Sequence, residues 1–199
     1  MKKTIKKLLS RAAMTFSRAT SRSEEPMRAS LFSRLLGALT LALMVLTTAT
    51  AWAQGIHDYI DENGNPNSHG AVVLSSDMST IGQKGEMTWY VVTRDINYDD
   101  MLTIKGDVNL ILYDGKTMTV DGKNKYNNGI SLDGTLTIYG QTNGTGTLTV
   151  NGYFYGIYTE DEKCDLTICG GTVTATGTGT DGVGIDVRDR GSVTFSGST

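Results

Sequence analysis

The chain has 199 residues, enough for one or two domains, and its 24 glycines against 2 prolines suit a turn-rich β protein without the every-third-residue glycine of collagen. A formal net charge of −3 conceals an asymmetry, because residues after Ala53 carry 9 Lys and Arg against 19 Asp and Glu. So acidic a body excludes nucleic acid as a partner, since binding it requires positive charge to neutralise phosphates.

Roughly half of the basic residues fall at or before Arg34. They precede Leu35 to Ala51 (LLGALTLALMVLTTATA), an uncharged and mostly apolar run that ends in Ala51-Trp52-Ala53. That order is the one a secretory signal peptide has, so residues 1–53 are expected to direct export, with cleavage between Ala53 and Gln54. Met27-Arg28 opens a signal of ordinary length, which makes Met27 a candidate start. A retained anchor is the competing reading, because the uncharged run reaches Ile56 and can just span ~30 Å of hydrocarbon. The four threonines of the run and its A-x-A ending favour cleavage. The membrane is expected to be met only through this segment.

Residues 54–88 read as an N-terminal β-hairpin or cap over the first turn of a repeating region. His57-Asp58-Tyr59-Ile60 and Ala71-Val72-Val73-Leu74 are strand-like, and the Asp61 to Asn67 segment between them is dense in turn formers. Asp61, Asn63 and Asn65 have the spacing of a calcium loop, but its twelfth position holds Val72 where Glu is required. A turn is the better reading.

From Trp89 onward a short phrase keeps returning. Pairs that skip one residue, Leu102/Ile104, Ile130/Leu132, Ile157/Thr159 and Ile185/Val187, recur at intervals of 28, 27 and 28 residues, the last three each preceded by Gly129, Gly156 and Gly184. A second column is Leu110/Leu112, Leu136/Ile138, Leu166/Ile168 and Val193/Phe195. A third is Met118/Val120, Leu148/Val150 and Val173/Ala175. Each pair leaves one face of an extended strand, and a fixed period of this size means stacked units. Gly and Thr are too dense for helix, and no apolar set at helical spacing is sustained. A β-sandwich also has many short strands, yet it does not need apolar columns that recur every third strand. Residues 89–199 are therefore expected to form an all-β parallel β-helix of about four turns, three strands to a turn.

Trp89-Tyr90-Val91-Val92, Leu102-Thr103-Ile104, Gly106 to Leu112, Leu136 to Gln141 and Gly170 to Gly177 resemble the Gly/Thr-rich repeats of large bacterial surface proteins. Those are adhesin-like, right-handed parallel β-helix (pectin-lyase-like) proteins. The resemblance runs from about Tyr59 to the C-terminus and implies a right-handed helix and a cell-surface or secreted address. It carries over no catalytic motif. Such proteins usually continue for many more turns, so the chain reads as a fragment or a short member. An uncapped final turn with Val193 and Phe195 at its edge would invite self-association through that C-terminal edge.

Pectin-lyase-like folds also house polysaccharide lyases and glycoside hydrolases, which need converging carboxylates, calcium or a base. Asp99-Asp100 is the only adjacent Asp pair and Arg188-Asp189-Arg190 the only Arg cluster, and both fall at corners, where polar residues are expected in any case. No N-T-D, G-H-G or R-I-K signature occurs, and His57 and His69 precede the helix. No catalytic residue, metal ligand or cofactor is assigned. Cys164 and Cys169 face opposite ways by strand parity, and five extended residues span ~16 Å, beyond the ~7 Å that a disulfide bridges. They read as free or intermolecular thiols. Asn143-Gly144-Thr145 reads as a turn.

Two outward features remain. Thr117/Thr119, Thr147/Thr149 and Thr172/Thr174 should stack as a ladder, with Thr137, Thr167 and Thr194 as a second, an arrangement reminiscent of ice-binding solenoids but also ordinary for exposed strand positions. Tyr126, Tyr153, Tyr155 and Tyr158, with Phe154, gather at successive corners beside Asn127, Asn128, Asp161 and Glu162. Aromatic faces there could stack on sugar rings, or simply cover the edge of the core. The sequence thus points to an exported, adhesin-like binding or scaffold protein that contacts glycans or other surface polymers. A carbohydrate-active β-helix enzyme and an ice-binding solenoid are the alternatives.

Overall fold

A computed structural model describes residues 55–123, 127–160, 163–188 and 190–196. The signal segment, with Ala53 and Gln54, lies outside them. The described residues form strands β1 (Gly55–Ile60), β2 (Pro66–Val73), β3 (Thr80–Val92), β4 (Ile96–Tyr98), β5 (Leu102–Leu112), β6 (Thr117–Asp121) and β7 (Ile130–Gly140). They continue as β8 (Thr147–Gly152), β9 (Tyr155–Thr159), β10 (Asp165–Ile168), β11 (Thr172–Gly177), β12 (Val183–Asp186) and β13 (Ser192–Phe195). From β3 onward the chain winds as a parallel β-helix of about four turns.

The columns expected from the repeat are real strand stacks. Leu102, Ile130, Ile157 and Ile185 lie directly beneath one another on β5, β7, β9 and β12. Met118, Leu148 and Val173 do the same on β6, β8 and β11, as do Val120, Val150 and Ala175, and Ile96 and Tyr98 of β4 add a further layer above them. All feed one interior in which the Ile130, Ile157, Leu148 and Val150 side chains are fully buried. Tyr98 is carried into this core, where its hydroxyl donates to the Ser75 carbonyl at 3.0 Å and burial pushes its pKa up to about 12. At Thr159 the column takes a polar member opposite Leu132; its buried hydroxyl accepts the Arg188 backbone N–H at 2.8 Å and so stays satisfied.

One column needs correction. Leu110 lies opposite Ile138 and Leu112 opposite Gly140, while Val108 is the true partner of Leu136. Val108, Leu110 and Leu112 all point inward, and a strand with three inward apolar residues looks the same after a slip of two, because the side-chain period is two.

In the first three turns two of the three faces are one long strand that bends. β5 and β7 run through both faces and bend at Gly106 and Gly134, which pair with each other. Their φ values are +69° and +144°, in the region that side chains disfavour. In the next turn the same path breaks into β9 and β10. The glycine before each inward isoleucine has a different reason. A Cβ on Gly129 would stand 2.7 Å from the Gly156 carbonyl oxygen, so successive coils approach there backbone to backbone.

β1 and β2 form an antiparallel hairpin in which His57 lies opposite His69. β2 joins the stack through two residue pairs, Val72 with Tyr90 and Val73 with Val91. The hairpin also covers part of the outer surface of the helix, where Tyr59 and Ala71 pack on Val91, Ile111, Tyr139 and Cys169.

Candidate functional site

The aromatic corner is built where β8 turns into β9. Its backbone is clamped from both sides: the Tyr153 N–H donates to the Asn127 carbonyl at 2.7 Å, and the Gly179 and Val183 N–H groups donate to the Tyr153 and Phe154 carbonyls at 2.8 and 2.9 Å. A turn held by neighbouring coils presents its side chains in one arrangement. Tyr155 and Tyr158 stack, with ring centroids 5.1 Å apart and planes 23° from parallel. The Arg188 guanidinium lies 4.9 Å from the centre of the Tyr158 ring, a favourable placement for a cation over a π face. Tyr153 meets Phe154 edge to face at 5.0 Å, and Phe154 is 51% exposed. Tyr153 and Phe154 form one wall of a cleft of about 220 Å³ completed by Gly179, Thr180, Asp181 and Gly182.

Tyr153, Tyr155 and Tyr158 are thus brought to one corner of the helix. Tyr126 lies outside the described residues, as do Asp161, Glu162 and Asp189. Asn127 is committed elsewhere, its side-chain amide donating to the Asp100 carboxylate at 3.0 Å. That carboxylate also accepts the Met101 N–H, so Asp100 fastens a corner of the stack.

A larger groove of about 660 Å³ runs between the hairpin and the corners after β5 and β7, lined by Asp58, Asn67, Ser68, Asp114, Gln141 and Asn143 among others. Most of its polar groups are already spent within the protein. Asp114 accepts the backbone N–H groups of Asn143 and Thr145 and both of their side chains. Burial pushes its carboxyl up, but those four bonds outweigh it and hold the pKa below the ordinary carboxylate value. Gln141 accepts from the Asp114 N–H and donates to the Asp58 carbonyl. The groove is a laced corner that ties the hairpin to the helix.

The threonine ladders stand in register. Thr117, Thr147 and Thr172 form one row, Thr119, Thr149 and Thr174 the next, and Thr137, Thr167 and Thr194 a third on another face. Among the described residues, no three His, Cys, Asp or Glu side chains meet as metal ligands. Both cysteines are free and buried, Cys164 in the interior and Cys169 under the hairpin, where burial raises its thiol pKa. A disulfide to another molecule would require either sulfur to leave its packing.

Sequence reasoning misses the second aromatic group, beneath the hairpin. Trp89 is flanked by His69 at 4.2 Å and Tyr139 at 5.4 Å, both nearly parallel to it, and Tyr59 packs 4.7 Å from Tyr139. Burial there pushes the Tyr139 hydroxyl up to about 12. A signal exists in the unbroken apolar runs Tyr90-Val91-Val92 and Leu110-Ile111-Leu112, since a strand apolar at every position is covered on both faces. Comparison with protein-family models, curated proteins and solved structures gave no match, and the chain is classified by its architecture, a parallel β-helix of about four turns.

Proposed function

We propose that this chain is an exported, non-catalytic binding or scaffold module of the adhesin-like, pectin-lyase-like β-helix type, contacting glycans or other surface polymers outside the cell. The observation that carries the reading is the corner at Tyr153, Phe154, Tyr155 and Tyr158, where clamped backbone holds partly exposed rings beside Arg188 and a small polar cleft. Rings of this kind offer apolar faces to the C–H side of a sugar, while Thr180 and Asp181 are placed to meet hydroxyls. Repetition supports the same reading, because similar outer faces on successive coils let weak contacts add along an extended ligand. The basic flank, apolar run and A-x-A ending at Ala53 support export.

A glycan-array screen of the secreted product should identify a ligand. Replacing Tyr153, Tyr155 and Tyr158 by Ala should then weaken its binding by about tenfold or more, as loss of an aromatic hot spot does, with the circular dichroism spectrum unchanged. Full binding by the triple variant would remove the corner from consideration. Intact mass of the exported protein should correspond to a chain that begins at Gln54; a product that keeps Leu35 to Ala51 would establish an anchor.

Release of unsaturated or reducing sugar ends by the purified protein, abolished by changing Asp99 and Asp100, would replace this reading by a carbohydrate-active enzyme. The in-register rows of Thr117, Thr147, Thr172 and Thr119, Thr149, Thr174 favour ice binding as a second reading. Thermal hysteresis decides it.

A further inference from the structure

The hairpin that covers the outer face contains both histidines of the chain, directly opposite each other on β1 and β2. Their surroundings differ. His57 is 9% exposed; its Nδ1 lies 2.6 Å from the Tyr113 hydroxyl, and its Nε2 is buried with no hydrogen-bond partner in the protein. His69 is exposed and stacks face to face on Trp89 at 4.2 Å.

A neutral imidazole protonated at Nδ1 suits the His57 site, because that N–H donates to the Tyr113 hydroxyl and the buried Nε2 then carries a lone pair and no N–H. The imidazolium does not suit it. Both nitrogens would then carry N–H, and the one at Nε2 would be held, charged, against Gly55 with no acceptor. The titratable and charged groups nearby offer little compensation. Asp58 follows His57 but leaves the other face of β1, Asp114 at the corner after β5 is committed to Asn143 and Thr145, and Tyr113 is neutral. Across the hairpin, a charged His69 would be attracted to the indole face beneath it, so it holds the hairpin down in either state.

We propose that the β1–β2 hairpin is an acid-released cover, in which protonation of His57 lifts it from the β-helix and uncovers the apolar strip of Val91, Ile111, Tyr139 and Cys169. The attachment is confined to one edge and one face, since β2 joins β3 through two residue pairs and the Leu74 N–H bond to the Val91 carbonyl, and the other ties among the described residues are the His57–Tyr113 and Gln141–Asp58 hydrogen bonds, the ring contacts and the packing of Tyr59 and Ala71 on the strip. The sign follows from burial, which lowers the His57 pKa from its ordinary 6.5 against the weaker opposing pull of Asp58. The opened hairpin therefore binds the proton more tightly than the closed one. The cover is fully held above pH 6.5, and the opening constant rises by up to tenfold for each pH unit below it, until the closed-state pKa is passed.

Hydrogen exchange of the full chain, corrected for the intrinsic pH dependence, tests the proposal. Amides of β1 and β2 should lose protection between about pH 7.5 and 5 while those of β5 to β8 keep theirs. His57→Gln, which keeps a partner for Tyr113 but cannot take the charge, should abolish that pH dependence, and His69→Gln should retain it. Equal protection of β1 and β2 at both pH values, or an unchanged acid profile in His57→Gln, overturns the proposal. If His57→Gln does not fold, NMR titration of His57 in the native chain decides: a midpoint below 6.5 that coincides with changes in the β1 amides supports the cover, and a midpoint at or above 6.5 refutes it.

Discussion

Replacing Ile157 by Asp is expected to abolish the fold. Ile157 is fully buried and lies in register between Ile130 on β7 and Ile185 on β12, so its side chain is an inner layer of a continuous column. The substitution removes the transfer free energy of a buried isoleucine, about 2–3 kcal/mol, and puts a carboxyl where no partner waits, which costs several kcal/mol more even if it stays protonated. Against a total stability of roughly 5–15 kcal/mol, that leaves little or nothing. The effect spreads because each coil is stabilised mainly by its neighbours. Far-UV circular dichroism and urea denaturation should show no cooperative transition in Ile157→Asp. Thr149→Asp, on the outer face of β8, should cost less than about 1 kcal/mol. An Ile157→Asp protein with native spectrum and midpoint would mean that the column does not hold the stack together.

The contrast between those two positions is also what makes the fold legible. Ile130, Ile157 and Ile185 share a spacing, a chemistry and a preceding glycine, and each of these has a physical cause: a fixed coil length, a common interior and a close backbone approach at the corner. The column of Met118, Leu148 and Val173 is readable for the same reason. Phase along a strand is harder. Nothing in the sequence says whether Val108/Leu110 or Leu110/Leu112 lies beside Leu136/Ile138, because both fit the inward pattern; Gly140 beneath Leu112 settles it only when the bend at Gly106 and Gly134 is aligned first.

The outer surface is less legible because its partner is not part of the repeat. Val91, Ile111, Tyr139 and Cys169 form an outward column as regular as the inward ones, yet what covers it is Tyr59 and Ala71 from a hairpin that occurs once. Periodicity shows that a face is apolar, and it cannot show which unique segment closes over it. At the tyrosine corner the limit is different. Spacing brings Tyr153, Tyr155 and Tyr158 together, but the stack of Tyr155 on Tyr158 and the placement of Arg188 depend on how the strand enters β9, where simple parity would put the two tyrosines on opposite faces.

Gly106→Ala is expected to be severely destabilising, and its comparison with Gly85→Ala separates two causes. Both glycines adopt positive φ, +69° and +82°, so alanine at either must accept a left-handed conformation at about 1–2 kcal/mol. Around Gly85 there is open space, and nothing further is lost. Around Gly106 the new Cβ would collide with the Gln83 carbonyl oxygen and stand 2.9 Å from the Glu86 carbonyl oxygen, both on the coil above. These are backbone atoms of β3, which no rotamer change can move aside. The coil below offers no relief, since Gly134 pairs with Gly106 and itself has room for no side chain against the Gly106 backbone. Relaxation must therefore separate β3 from β5 or straighten the bend, and either breaks ladder hydrogen bonds on both faces. Gly106→Ala should cost at least about 3 kcal/mol in urea denaturation and Gly85→Ala only about 1. Equal losses at the two sites would show that conformation alone requires glycine there, and that the coils do not nest at the bend.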